Sequence, residues 1–213
     1  MNRLPVIVRQ HIAAFRTLLV FTVLCGLIYP FVMVGVSQVA FHKQANGSMV
    51  SYNGKVVGSS LLCQEFTDAK GNPLPQYFQP RPSAAVDATD KTDYGCDPGF
   101  SAASNLGPNN PALVQLIKQR QQQISAFDHV PVSQIPADAV TASGSGLDPD
   151  ISPENAAIQV DRVAAARHLP AAEVRALVAK YTQGRTLGFL GEPRVDVLTL
   201  NIALDQLSAT SGS

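Results

Sequence analysis

Between positions 17 and 41 the chain reads TLLVFTVLCGLIYPFVMVGVSQVAF, a stretch without one charged residue, and every acidic residue of the protein lies beyond it. A bilayer offers no water to backbone amides, so a long uncharged apolar run is stable there as a helix that bonds its own backbone. At about 1.5 Å per residue the run reaches roughly 37 Å, against a hydrocarbon core of about 30 Å. Gly26 and Pro30 interrupt it. Pro30 removes a backbone donor and crowds the preceding turn, which predicts a bend near Tyr29 and Pro30.

A cleaved secretory signal is the competing reading, because basic residues precede the run and Gly35-Val36-Ser37 offers a small-x-small site. The run outlasts an ordinary signal core, continuing through Val39, Ala40 and Phe41, and a retained anchor is the reading adopted. Arg3, Arg9 and Arg16 stand before it and Lys43 and Lys55 after it, which favours a cytoplasmic amino terminus. Residues 1–16 then form a short cytoplasmic tip with no fold of its own, residues 17–41 the transmembrane helix, and residues 42–213 one extracytoplasmic domain.

The part beyond the span is long enough for one domain with its own core. With Arg3, Arg9 and Arg16 taken from the 16 basic residues, the remainder faces all 16 acidic ones, a balance of about −3. That excludes a basic footprint for nucleic acid. Charged residues are only 15% of the chain, against about a quarter in ordinary domains, which suggests a surface partly covered by other proteins. Cys25 falls in the span as a packing residue. Cys63 and Cys96 fall in the outer part, where an oxidising compartment permits a bridge, and the sequence leaves two unpaired thiols as an equal alternative. No CxxC pair exists and His11, His42, His129 and His168 are scattered, so a zinc site is not expected.

Val56, Val57, Leu61, Leu62 and Phe66, punctuated by Gly54 and Gly58, predict a hairpin or two short strands. Pro73, Pro75, Pro80 and Pro82 preclude a helix and predict an ordered irregular segment anchored by Tyr77 and Phe78. Residues 87–100 read as an exposed polar excursion. Asp90-Lys91-Thr92 within it lacks the Gly-Thr that completes the phosphorylated loop of P-type ATPases. Asn110 with Pro111 opens a helix whose apolar face is Leu113, Leu116, Ile117, Ile124 and Phe127. Ser152 with Pro153 opens a second, carrying the stripe Ala156, Val160, Val163, Ala164. Pro170 and Glu173 open a third on Val174, Leu177, Val178 and Tyr181. Val195, Val197, Thr199 and Asn201 alternate with Asp196, Leu198 and Leu200, which predicts a final buried strand before a short tail. Strands early and late with helices between give the class α+β.

Ser143, Gly144, Ser145 and Gly146 admit two readings, a backbone nest for an anion or a turn that leads to the Ser152 cap, and the turn is preferred because no Gly-Lys-Ser/Thr follows. Asp148 and Asp150 lack the bidentate Glu of a calcium loop. No Gly-x-Ser-x-Gly elbow is present, and no catalytic constellation is expected.

The motifs Tyr77-Phe78-Gln79-Pro80-Arg81-Pro82-Ser83, Ser104-Asn105-Leu106-Gly107-Pro108 and residues 140–167 resemble the C-subunit family of the bacterial Kdp potassium-transporting ATPase. The likeness starts at Tyr29-Pro30 in the span and passes through Gly58-Ser59 and Gln64-Glu65-Phe66. It closes with Gly188-Phe189-Leu190-Gly191-Glu192-Pro193-Arg194 and Val197-Leu198-Thr199-Leu200-Asn201. It implies a non-catalytic, single-pass subunit of the bacterial inner membrane in an ATP-driven, high-affinity potassium importer. Its partners would be a channel-like potassium-translocating subunit, a P-type ATPase subunit and a further small membrane subunit. In that family the subunit is described as a catalytic chaperone that raises ATP affinity, which makes Ser143 to Gly146, or Ser104 to Pro108, a candidate nucleotide site.

An outward-facing domain does not meet cytoplasmic ATP, so such an effect would have to cross the membrane as coupling between states. Gly26, Gly35 and Ser37 permit close helix approach in lipid. With Tyr29, Pro30, Tyr77, Phe78, Arg81, Pro82, Ser104, Asn105, Gly107 and Pro108 they form the expected partner interface. Three departures from the family pattern stand out. Ala102-Ala103 replace two glycines, Asp196 replaces an Asn, and residues 87–100 form a longer stretch. The alternative class is a membrane-anchored extracytoplasmic protein that binds a small anion at the Ser143 to Gly146 turn.

Overall fold

Pro30 leaves its mark on the backbone of the first helix. The computed structural model describes residues 5–86 and 95–211 and divides into two compact units, Met1–Ser48 and Met49–Ser213. In the first, α1 (Val6–Val23) passes through a π-helical turn (Leu24–Ile28) into α2 (Tyr29–Ala40). Pro30 has no N–H for the Gly26 carbonyl, and the ladder slips just before it, so that the Tyr29 N–H bonds to the Leu24 carbonyl five residues back. The expected bend is thus taken up as a π-turn. A short α3 (His42–Ala45) follows.

The helix from Val6 to Ala40 is one candidate membrane span of 35 residues, none of whose most apolar window is buried. It begins well before position 17, so residues 6–16 are helical and not an unfolded tip. No proline or glycine stands between Pro5 and Gly26 to stop propagation from the apolar run. At about 1.5 Å per residue the helix is roughly 52 Å long and outreaches a hydrocarbon core of about 30 Å.

The second unit opens with an antiparallel hairpin, β1 (Met49–Tyr52) and β2 (Lys55–Ser59). Its turn is Asn53-Gly54, both at positive φ (49° and 77°), as a two-residue hairpin of right-handed twist requires. The proline-rich stretch that follows is irregular and ordered. Then come α4 (Pro111–Asp128), a 3-10 turn (Val132–Gln134), α5 (Ala137–Val140), β3 (Asp150–Ile151), α6 (Pro153–Arg167) and α7 (Ala171–Tyr181). The chain ends in β4 (Thr182–Gln183), β5 (Arg194–Asp196) and α8 (Val197–Ser211). A small antiparallel sheet has the order β3-β5-β4, with Ile151 and Thr182 both opposite Val195. The class is α+β, as read from the sequence.

The helix starts follow their caps. Asn110 Oδ1 accepts from the Ala112 N–H at 2.9 Å, and Ser152 Oγ accepts from the Asn155 N–H at 3.0 Å, each with proline at the first helical position. Asp138 holds the Ser152 cap in turn, accepting from its N–H, its hydroxyl and the Asn155 side chain. The predicted α6 stripe is the centre of the core: Ala156, Val160, Val163 and Ala164 pack with Val174 and Val178 of α7, Val195 of β5, and Val197, Leu200 and Leu204 of α8.

The predicted final strand is a strand for three residues only. Val197, Leu200, Asn201 and Leu204 are all buried at spacings of i, i+3, i+4 and i+7, a helical stripe that the alternation of 195 to 201 concealed. Asp196 makes the switch, since its Oδ1 accepts from the Thr199 N–H at 2.7 Å and caps α8. The expected exposed excursion at 87–100 is corrected in part. Positions 87–94, with Asp90-Lys91-Thr92, lie outside the described residues, whereas Cys96 is buried and bonded to Cys63.

Asp196 is 4% exposed, and burial pushes its carboxyl above the usual range against the opposing pull of the Thr199 bonds. A raised folded-state value means that the native state binds more protons than the unfolded chain between the two values, so this group costs stability as pH rises through that window. Asn caps as well as Asp and carries no charge. Asp196→Asn is therefore expected to raise the urea midpoint of the full-length chain at pH 7, with the advantage vanishing as pH falls toward the ordinary carboxylate range; an equal midpoint at pH 7 would count against this account.

Candidate functional site

Residues 75–79 have no regular partner strand, and most of their bonded backbone groups are met by side chains from α6 and α8. Arg162, 4% exposed in its side chain, sends Nη1 to the carbonyls of Pro75 (2.6 Å) and Tyr77 (2.9 Å), Nη2 to Gln159 Oε1 (2.8 Å) and Nε to Asp128 Oδ1 (2.6 Å). Its guanidinium lies 4.4 Å from the centre of the Phe127 ring. Arg167, about a turn and a half further along α6, donates to the Gln76 carbonyl, Ser208 Oγ and Asp205 Oδ1, and covers the Tyr77 ring at 4.7 Å. Tyr77 completes this group through its hydroxyl bond to Asp205 and a ring contact with Phe66. Burial and the Asp205 charge push the Tyr77 phenol up.

Two amide side chains act as short ladder segments. Asn201 accepts from the Phe78 N–H and donates to the Phe78 carbonyl, both at 2.9 Å. Gln159 does the same for Gln79, accepting from its N–H at 2.7 Å and donating to its carbonyl at 3.2 Å. This pairing seats the Phe78 side chain, fully buried, in the core. Sequence reading named Tyr77 and Phe78 but missed Gln159, Arg162 and Arg167. The signal was present: Asn155, Gln159 and Arg162 recur at i, i+4 and i+7 beside the apolar stripe, and all three are buried.

For the Asp128–Arg162 pair, burial pushes the carboxyl up and the guanidinium down, while each partner's charge pulls the other back. At 2.6 Å the charge-assisted bond holds both ionised. Asp128 is also the sole fully buried residue of α4; the predicted apolar residues Leu113, Leu116, Ile117, Ile124 and Phe127 are each only half-covered.

Downstream, Arg81 pairs with Asp148 at 2.7 Å and Arg194 with Asp150 at 3.0 Å. Burial raises the Asp150 carboxyl, Arg194 pulls it down, and the nearby Asp196 and Asp148 push it up. Between these pairs and the disulfide lies the Ser143 to Gly146 turn. Ser143 Oγ accepts from the Gly146 N–H and Ser145 Oγ from the Leu147 N–H, while the Ser143 N–H bonds to the Pro82 carbonyl. The Gly146 carbonyl accepts from Ser83 Oγ at 2.7 Å, and the Ser145 carbonyl accepts from the Ala102 N–H and Ser101 Oγ. Gly146 has φ +74°, and a Cβ there would sit 2.6 Å from the Ala102 oxygen and 2.7 Å from the Ala85 Cβ, so only glycine fits. Cys63 and Cys96 are joined beside it, with the Cys63 N–H on the Leu147 carbonyl and the Cys96 N–H on Ser83 Oγ.

No hydrogen bond among the described residues joins Ser104, Asn105, Gly107 or Pro108 to this turn. Ser104, Asn105, Gly107 and Pro108 are exposed in the loop before α4, with Asn105 at φ 53°. In the span Tyr29 and Pro30 face outward, and a Cβ added at Gly26 or Gly35 would meet nothing within 4 Å. A cleft of about 610 Å³ opens between the 79–83 segment, α4 and α6, with Glu65, Arg81, Arg120, Gln123 and Gln159 on its walls. Arg120 is committed to the Val140 carbonyl and Arg81 to Asp148. Among the described residues no group of His, Cys, Asp and Glu is arranged to hold a metal ion.

Comparison with known proteins gives a consistent result. A family model described as "K+-transporting ATPase, c chain" (KdpC) matches residues 11–206. The potassium-transporting ATPase KdpC subunit of Beijerinckia indica is 48% identical over 197 residues, covering 92% of this chain and 93% of the relative. That of Gemmatimonas aurantiaca is 53% identical over 188 residues, 88% of each chain. That of Sorangium cellulosum is 52% identical over 192 residues, covering 90% of this chain and 95% of the relative.

Arg162→Met leaves the Asp128 carboxylate buried without its cation and takes one donor each from the Pro75 and Tyr77 carbonyls. Urea unfolding of the full-length chain should show a loss of about 3–5 kcal/mol. Adding Asp128→Leu should recover part of that loss, and strict additivity of the two substitutions would contradict the coupling described.

Proposed function

The chain belongs to the KdpC family, the c chains of the K+-transporting ATPase, and from that premise we propose that it is a non-catalytic, single-pass assembly subunit of a potassium importer. Its amino terminus lies in the cytoplasm and the unit from Met49 onward lies outside. The observation that carries this reading is the Cys63–Cys96 disulfide in the unit that follows the one candidate span among the described residues, a helix uncharged from Thr17 onward. Disulfides persist in oxidising compartments, and the arginines before the span agree with that sidedness.

On this reading the span packs against helices of the channel-like and P-type ATPase subunits through Gly26 and Gly35, where small residues leave room for close approach. Potassium is cargo of the complex. The subunit acts as a catalytic chaperone by stabilising, through contacts made outside and within the membrane, the state of the ATPase subunit that binds ATP well. An effector shifts an equilibrium only by its differential affinity for the two states, so direct contact with nucleotide is not required. The Ser143 to Gly146 turn serves packing in this scheme, because its Gly146 and Leu147 amides are already occupied by serine hydroxyls.

Two measurements test the proposal. Vesicles reconstituted with the complex lacking this chain should show potassium-stimulated ATP hydrolysis with a severalfold higher KM for ATP, and the full-length chain alone should not be labelled by a photoreactive ATP analogue. Labelling of the chain that excess ATP abolishes would refute the indirect route. For sidedness, a membrane-impermeant thiol reagent applied to reduced, intact spheroplasts should modify Cys63 and Cys96; protection of both until the cells are lysed would reverse the orientation.

A further inference from the structure

The link between β4 and β5 presents its apolar residues to solvent. Leu187 is 78% exposed, Phe189 70% and Leu190 49%. The loop is nonetheless ordered by its own backbone. Thr186 and Leu190 exchange both N–H···O bonds at 2.9 Å, the Gly188 N–H bonds to the Arg185 carbonyl, and an Arg185–Glu192 ion pair of 2.7 Å closes the base. Leu187 and Gly188 are both left-handed, at φ 55° and 82°. A leucine is strained there, and no buried contact of the side chain offsets the strain.

We propose that this tip is a preformed knob that seats in an apolar pocket on the outward-facing surface of a sister subunit of the same ATPase. The inference rests on the assembly role given above and names the part of the chain that performs it. Three observations favour a protein pocket over lipid. The tip from Thr186 to Gly191 is uncharged, and its base carries one positive and one negative group, paired, so it lacks the basic flank that draws a loop to an anionic membrane. The part of the chain beyond the span has a balance of about −3, which a negative leaflet repels. The loop is held in one shape before binding, and an ordered aromatic and aliphatic anchor loses little entropy on docking into a pocket.

The test uses the complex co-expressed with tagged full-length chain and purified in mild detergent. Leu187→Ser/Phe189→Ser should lower recovery of the sister subunits about tenfold or more, while melting of the purified full-length chain stays unchanged because both side chains are exposed. Val132→Ser, an exposed apolar site elsewhere on the same unit, should leave recovery at the wild-type level. In parallel, a benzophenone side chain placed at position 189 should, on illumination, give an adduct whose peptide belongs to a sister subunit. Wild-type recovery of the double variant overturns the inference, as does an adduct confined to lipid or to a second copy of this chain. Should the double variant melt lower, the adduct decides. Failure of the unmodified chain to recover any sister subunit overturns the assembly role itself, and the knob with it.

Discussion

A single buried guanidinium, that of Arg162, joins parts of the chain that no sheet or helix bundle would otherwise connect. One group reaches the end of α4 through Asp128, the proline-rich segment through the carbonyls of Pro75 and Tyr77, and its own helix through Gln159. Asp128 and Gln159 are buried, and leaving a buried oxygen unbonded would cost about 1–3 kcal/mol. The planar fork of arginine can serve four such oxygens at once, which a lysine cannot.

The consequence is an irregular segment held as firmly as a strand. Prolines at 73, 75, 80 and 82 forbid helix and interrupt any ladder, so residues 75–79 cannot satisfy their own backbone by regular pairing. Asn201 and Gln159 supply the missing donors and acceptors from two different helices, and Phe78 enters the core between them. The core helices and the segment thereby depend on each other: the helices present the amides, and the segment fills the space between them with an aromatic ring.

A second tie is covalent. The Cys63–Cys96 bridge lies next to the Gly146 turn, where Ser83, Ala85 and Ala102 close in from separate stretches. Away from the core and these two ties, the face of α4 is half-covered, and the tip around Phe189 and Ser104, Asn105, Gly107 and Pro108 are exposed.

The sequence by itself determined the long apolar helix, the caps at Asn110 and Ser152, the α6 stripe, the α+β class and, through ordered motifs, the family, because each of these depends on residues close together along the chain. It misplaced the start of the first helix, which ran on past Arg16, where charge is no barrier to helical hydrogen bonding. It also read residues 195 to 201 as strand, since a short alternating run looks alike in either period and only packing in the common core decides for the helix. The pairing of Cys63 with Cys96 and the convergence of Gln159, Arg162, Arg167 and Asn201 on residues 75–79 join positions separated by 33 to more than 120 residues. No local pattern encodes such meetings; the tertiary structure decided them, by bringing buried backbone groups without partners to the side chains able to bond them.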